Sequence, residues 1–229
     1  DAPGINRREE PRGRIVAGLG YQAGYGPGTP GQANNNHVGG GYGGEGGGSS
    51  AAYPARPYGS FAIPTNIGSG GCYGPGSGAI QLMVAGALTH NGTIAANAAA
   101  DQYARGSGGS VYIVAGTMSG QGSIQAKGGR ASNAGSGGGG RIALVVTNSG
   151  ADFSQYAVTN IAAYGGNGGT VGAAGTIYLE TAGQGAGNGT LIVDNSNFGI
   201  SGPATAIPSN QTWTVKSLVL TNSALVEAG

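Results

Sequence analysis

Gly109-Ser110-Val111-Tyr112-Ile113-Val114-Ala115 decides the fold, because the chain repeats its pattern four times. Its counterparts are Gly78-Ala79-Ile80-Gln81-Leu82-Met83-Val84, Gly140-Arg141-Ile142-Ala143-Leu144-Val145-Val146 and Gly175-Thr176-Ile177-Tyr178-Leu179-Glu180-Thr181. In each, a glycine leads a short run whose apolar residues recur at every second position, the period of a strand with one buried face. The lead glycines fall 31, 31 and 35 residues apart. Self-similarity at such a period marks a stack of like units rather than one globular core.

After each main strand the sequence turns and offers a second, shorter one: Thr93-Ile94-Ala95-Ala96, Ser123-Ile124-Gln125-Ala126, Asn160-Ile161-Ala162-Ala163 and Thr190-Leu191-Ile192-Val193. A loop rich in Gly, Ala, Ser and Asn then leads to the next glycine. A unit with two short strands cannot bury its apolar side alone. Stacking puts Ile80, Val111, Ile142 and Ile177 in one column and Leu82, Ile113, Leu144 and Leu179 in the next, with rungs about 4.8 Å apart. Each buried Ile or Leu contributes roughly 1.5–3 kcal/mol. No segment keeps the three-and-four spacing of an amphipathic helix. The expected fold is all-β, a parallel β-helix (β-solenoid) with long glycine-rich loops. An antiparallel sandwich is the rival, disfavoured by the common phase of the four units.

The flanks divide the chain. Residues 1–77 hold most of the prolines and the runs Gly39-Gly40-Gly41 and Gly46-Gly47-Gly48, with only Arg14-Ile15-Val16 resembling a strand. They read as an irregular Gly/Pro/Tyr-rich N-terminal arm, in which Tyr21, Tyr25, Tyr42, Tyr53 and Tyr58 have the size to pin loops by burying their rings. Residues 78–229 read as the solenoid domain, with the four repeats over 78–195 and a tighter coil over 196–229.

Composition bounds the function. Glycine supplies 52 and proline 10 of the 229 residues, yet hydrophobic residues reach 38% and fall in phase, while charged residues are only 8%. Disorder ordinarily comes with the opposite balance. A net charge of +1 offers no field for nucleic acid. No apolar run is long enough for a membrane-spanning helix, and no signal-peptide pattern opens the sequence. Asp1-Ala2-Pro3 reads as the start of a processed or partial product. The single cysteine, Cys72, has no intrachain partner, and neither His37 nor His90 is placed to activate it.

Motifs that carry chemistry are sparse. Glycine-rich matches lack a β-α-β context, no Gly-Lys-Ser/Thr loop exists, and no Gly-Gly-x-Gly-x-Asp run supports a repeated calcium site. No cofactor, metal or catalytic residue is expected. The outward positions of the main strands read Gln81, Tyr112, Ala143 and Tyr178, then Met83, Val114, Val145 and Glu180. Glu180 is the one carboxylate among them, whereas acid/base chemistry on a sugar wants two. Tyr112 and Tyr178 share a column two rungs apart, about 10 Å; they are candidates either to stack on a surface glycan or to pack under loops. Asn-x-Ser/Thr sequons occur at Asn91, Asn188 and Asn210.

Tyr58-Gly59-Ser60-Phe61-Ala62-Ile63-Pro64-Thr65-Asn66-Ile67-Gly68-Ser69-Gly70-Gly71, Leu88-Thr89-His90-Asn91-Gly92-Thr93-Ile94-Ala95-Ala96-Asn97 and the lead-glycine strands resemble the glycine-rich repeat regions of large secreted and surface proteins of bacteria, the pectin-lyase-like, adhesin-like β-helices. The resemblance covers roughly residues 58–195. It implies an extracellular or cell-surface location and a structural or adhesive role, and it brings no catalytic residues.

The expected function is therefore an extracellular structural protein, a self-assembling fibre or surface scaffold subunit. Its assembly edge would be the apolar C-terminal coil, through Leu218, Leu220, Leu225 and Val226, joining copies into a homo-oligomer or polymer with help from the N-terminal arm; the competing explanation of that apolar end is a fragment of a longer protein whose stack continues beyond Gly229. The alternatives are an adhesin-type glycan-binding module using Tyr112 and Tyr178 and, least favoured, a polysaccharide-acting enzyme using Glu180.

Overall fold

The computed structural model describes residues 14–30, 37–50, 52–100, 103–198, 203–207, 212 and 214–228. Its strands are β1 (Arg14–Ala17), β2 (Ala79–Thr89), β3 (Thr93–Ala95), β4 (Ser110–Ser119), β5 (Ser123–Gln125), β6 (Arg141–Val146), β7 (Ile161–Ala162), β8 (Thr176–Thr181), β9 (Thr190–Asp194), β10 (Thr205–Ile207), β11 (Ser217–Thr221) and β12 (Val226–Ala228). Two single 3₁₀ turns are the only helical elements among the described residues. The chain is a β-solenoid of about four turns.

The repeated strands stack in register. β2, β4, β6 and β8 are parallel neighbours, pairing Ile80 with Val111, Val111 with Ile142 and Ile142 with Ile177. The Leu82, Ile113, Leu144 and Leu179 column follows the same ladders. The second strands β3, β5 and β7 form their own parallel sheet, with Ile94, Ile124 and Ile161 in line. Between the two sheets lies the core, where Val111, Ile113, Ile124, Ile142, Leu144 and Val146 are buried and Ile94 and Leu82 pack against them. A register slip by one residue would expose the whole set, so alternation fixes the pairing.

The lead glycines are required for close approach. A Cβ at Gly109 would fall on the carbonyl oxygen of Gly78, one at Gly140 on that of Gly109, and one at Gly175 on that of Gly140. Each lead glycine also closes a turn of the coil. The N–H of Gly109 donates to the carbonyl of Ala96 at 2.9 Å, that of Gly140 to Ala126 at 2.7 Å and that of Gly175 to Ala163 at 2.7 Å. The coil thereby bypasses the described residues of 97–100 and 103–108, and residues 127–139 and 164–174, which lie outside it.

Those excursions form a second block beside the coil, held backbone to backbone. Gly166 N–H donates to Gly137 at 2.8 Å, and Gly129 N–H to Gly106 at 3.0 Å. The N-terminal region completes this block: Gly40 donates to Arg105 at 2.8 Å, Gly43 to Gly139 at 2.9 Å, Gly47 to Ser136 at 2.7 Å, and Glu45 accepts from Ala173 at 2.9 Å. At the glycines where neighbouring backbones touch there is no room for a side chain, and buried N–H and C=O groups find one another instead of water; a small apolar cluster of Val38, Ala55, Cys72, Ala104, Ala131 and Ala134 is buried among them. The described part of residues 1–77 thus packs on this block through backbone hydrogen bonds. β1 pairs antiparallel with β2 and forms one edge of the main sheet. Residues 1–13 lie outside the described residues.

The structure corrects the reading of Thr190–Val193. These residues are not a fourth second-column strand; as β9 they pair antiparallel with β8 in the main sheet. Both parities of β9 are apolar, and both are used: Ile192 packs against the coil core, while Leu191 is buried with Tyr178 and Ala143 on the opposite face. From here the chain winds on with reversed strand direction. β11 pairs parallel with β9, and β10 with β12. The main sheet therefore has seven strands in the order β1-β2-β4-β6-β8-β9-β11.

Candidate functional site

The outer face of the main sheet is not an open binding face. Phe61 covers it, meeting the Tyr178 ring edge-on at 5.4 Å between centroids, and Phe61, Ala143, Tyr178 and Leu191 form a buried cluster with Tyr112 packed against it. Tyr178 is fully buried and Tyr112 half-buried. The pair therefore forms no exposed aromatic platform for a sugar ring, which corrects the stacking role; the covering segment 58–66 is what sequence periodicity could not place. Burial, with the Glu180 carboxylate next, pushes the Tyr178 hydroxyl up to about 12.

Glu180 has a structural task. Its Oε2 accepts from the Tyr178 hydroxyl at 2.6 Å and from the Gly187 N–H at 2.7 Å, while the Tyr178 oxygen accepts from the Gly189 N–H at 2.7 Å. These bonds hold the reversal between β8 and β9, with Gly185 and Gly187 in the left-handed region at φ 78° and 80° and the Thr181 and Gln184 side chains boxing its 3₁₀ turn. The short turn is the reason the fourth unit folds back.

Arg141 is wholly buried beneath the N-terminal region. Its Nε donates to the Tyr58 carbonyl at 3.0 Å and its Nη1 to the Thr176 hydroxyl at 3.2 Å, and the guanidinium lies 5.6 Å from the Tyr42 ring centroid. Tyr42, also buried, donates to the Ser110 hydroxyl at 2.6 Å, which donates to the Asn66 carbonyl at 2.5 Å. Burial lowers the Arg141 pKa and raises that of Tyr42. One loop carbonyl and one strand hydroxyl receive this arginine, and the fork ties residues 58 and 176 together.

A groove of about 380 Å³ crosses the second corner, lined among others by Asn97, Gln125, Lys127, Arg130, Tyr164 and Phe198. Its polar groups are turned on one another. Asn97 Nδ2 donates to Gln125 Oε1 at 2.9 Å, Asn97 Oδ1 accepts from the Lys127 N–H at 2.8 Å, and Arg130 Nε donates to the Asn167 carbonyl at 2.7 Å. The Lys127 ammonium sits 5.0 Å from the Tyr164 ring centroid. Among the described residues no carboxylate lines the groove. Among the described residues no cluster of His, Cys, Asp or Glu could hold a metal, and no helix is long and apolar enough to cross a membrane.

The strongest unsatisfied feature is the C-terminal end of the main sheet. β11 is its edge strand, and Leu218, Val219 and Leu220 are 49%, 41% and 48% exposed, with Leu225 at 51%; Val226 is half-buried. In register, Leu218 lies opposite Leu191 and Leu220 opposite Val193, both fully buried. One rung inward, the same columns are closed. Leu218 and Leu220 thus share the exposed edge strand, whereas Leu225 and Val226 lie at the start of β12, which pairs with β10 in a separate two-stranded sheet. Of the sequons, Asn91 and Asn188 are exposed, and Asn210 lies outside the described residues. Comparison with family models, curated proteins and solved structures finds no match.

Proposed function

We propose that this chain is the subunit of an extracellular or cell-surface structural assembly, a fibre or scaffold extended by stacking one solenoid on another. The observation that supports the reading is the β11 end, where β11 is the last strand of the sheet among the described residues and its apolar side chains are exposed. Burying the exposed halves of Leu218, Val219, Leu220 and Leu225 would contribute on the order of 3–6 kcal/mol, and each new ladder bond about 0.5–1.5 kcal/mol. Association costs about 4–15 kcal/mol. The sum is near balance, so assembly is reversible and concentration-dependent. The resemblance of residues 58–195 to bacterial surface repeats supports the location. The covered Tyr178 and the turn-bound Glu180 favour structure over glycan binding or sugar chemistry.

The test is sedimentation velocity and negative-stain microscopy of the 229-residue chain over rising concentration, beside Leu218→Asp/Leu220→Asp. The chain should form elongated oligomers that the variant does not. A chain that stays monomeric up to millimolar concentration refutes the reading.

A further inference from the structure

We infer that copies join head to tail, with β1 of one copy adding to β11 of the next as a parallel rung in a fixed register. This rests on the assembly reading and names its partner surface. The argument begins with strand polarity. β1 is antiparallel to β2, the run β2, β4, β6 and β8 is parallel, β9 is antiparallel to β8, and β11 is parallel to β9. The two reversals cancel. The strands at the two edges of the seven-stranded sheet therefore point the same way. A second copy translated along the stack brings its β1 against β11 in parallel, as β11 itself lies against β9.

The internal register carries through the joint. One column runs Val16, Gln81, Tyr112, Ala143, Tyr178, Leu191, Leu218. Its neighbour runs Ala17, Ile80, Val111, Ile142, Ile177, Ile192, Val219. Continuing the columns places Val16 of the added copy opposite Leu218, and Ala17 opposite Val219. Both ends also expose large apolar residues: Leu19, just past β1, is 92% exposed, opposite in the stack to the Leu218–Leu220 end. Because the two surfaces differ, the contact is heterologous and does not close on itself, which yields a filament. Seven strands at the sheet spacing give a rise of about 34 Å per subunit. A twofold joint through two β11 strands would instead run antiparallel and stop at a dimer.

The experiment mixes two single-cysteine additions, Val16→Cys and Leu218→Cys, in the chain that keeps its buried Cys72, under mild oxidation. Adjacent strands lie within disulfide reach, whereas a two-residue offset does not. The mixture should give a cross-linked dimer; either variant alone, the parent chain, and Val16→Cys mixed with Leu220→Cys should not. Electron microscopy of filaments of the unsubstituted chain should show the rise of about 34 Å. Dimers from Leu218→Cys alone overturn the inference in favour of a twofold joint. Filaments with a different rise and no Val16–Leu218 cross-link also overturn it, while leaving the assembly reading intact. A monomeric parent chain overturns both.

Discussion

Replacing Gly140 by alanine tests the central structural claim, that the lead glycines exist to let backbones touch. A Cβ there would lie 2.8 Å from the Gly108 carbonyl carbon and 2.9 Å from the Gly109 nitrogen, and closer still to the Gly109 oxygen. All three are backbone atoms in paired rungs, so no side chain can swing aside. The rungs must part, and two bonds stand at the point of strain: Gly140 N–H to Ala126 at 2.7 Å and Arg141 N–H to Gly109 at 2.9 Å. Leaving such buried groups unpaired costs about 1–3 kcal/mol each, and overpacking alone typically costs about 1–3 kcal/mol. We expect a loss of about 3–5 kcal/mol. The control is Gly86→Ala, at a position in β2 where an added Cβ meets nothing within 4 Å and φ is not positive. There the reduced freedom of the unfolded chain should make alanine neutral or stabilising by up to about 1 kcal/mol. Urea unfolding followed by circular dichroism measures both, under conditions where the chain is monomeric. If Gly140→Ala falls within about 1 kcal/mol of Gly86→Ala, roughly the error of the extrapolation, the glycine column is not a close-packing device and the reasoning fails.

Further outcomes follow from the buried polar groups. Arg141→Lys keeps a charge but loses the planar fork shared by the Tyr58 carbonyl and the Thr176 hydroxyl, so it should destabilise by about 1–3 kcal/mol; an unchanged urea midpoint would show that the fork contributes nothing. Tyr178→Phe leaves the buried Gly189 N–H without its acceptor and should cost about 1–3 kcal/mol, checked by the same denaturation and by faster amide exchange at Gly189. His90, whose Nδ1 lies 2.8 Å from the Tyr156 hydroxyl, is held below its ordinary 6.5 by burial. The unfolded chain then binds the proton more readily, so the stability linked to neutral His90 is complete above pH 6.5 and is lost as the pH falls below it. Unfolding free energies from pH 7.5 to 5 should decline in the parent and decline less in His90→Gln, and parallel slopes would refute the assignment.

How much of this was legible in the sequence depends on which atoms carry the fold. The coil was legible because side chains carry it: Val111, Ile113, Ile142 and Leu144 alternate, and a single register satisfies every rung. The β8–β9 reversal was half legible. Thr190–Asp194 is apolar on both parities, unlike Thr93–Ala95, and that difference is the signal that it borders two cores rather than one. The glycine-rich block was illegible for a physical reason. Most of its contacts join N–H to C=O, groups that every residue has, and at positions such as Gly43 and Gly166 the requirement is the absence of a side chain, because a Cβ would strike a neighbouring backbone; its small apolar cluster of Val38, Ala55, Cys72, Ala104, Ala131 and Ala134 has no regular spacing in the sequence. A reading built on apolar periodicity sees such segments as loops. The same reasoning explains Tyr112 and Tyr178: alternation correctly put them on the face away from the coil core, but that face was closed by Phe61, which belongs to a segment with no period at all. The composition that resembles low complexity is therefore itself structural. Where side chains are removed, backbone packs on backbone, N–H groups find carbonyls, and the sheet acquires a second covered face, leaving β11, its last strand among the described residues, as the place where the apolar columns are exposed.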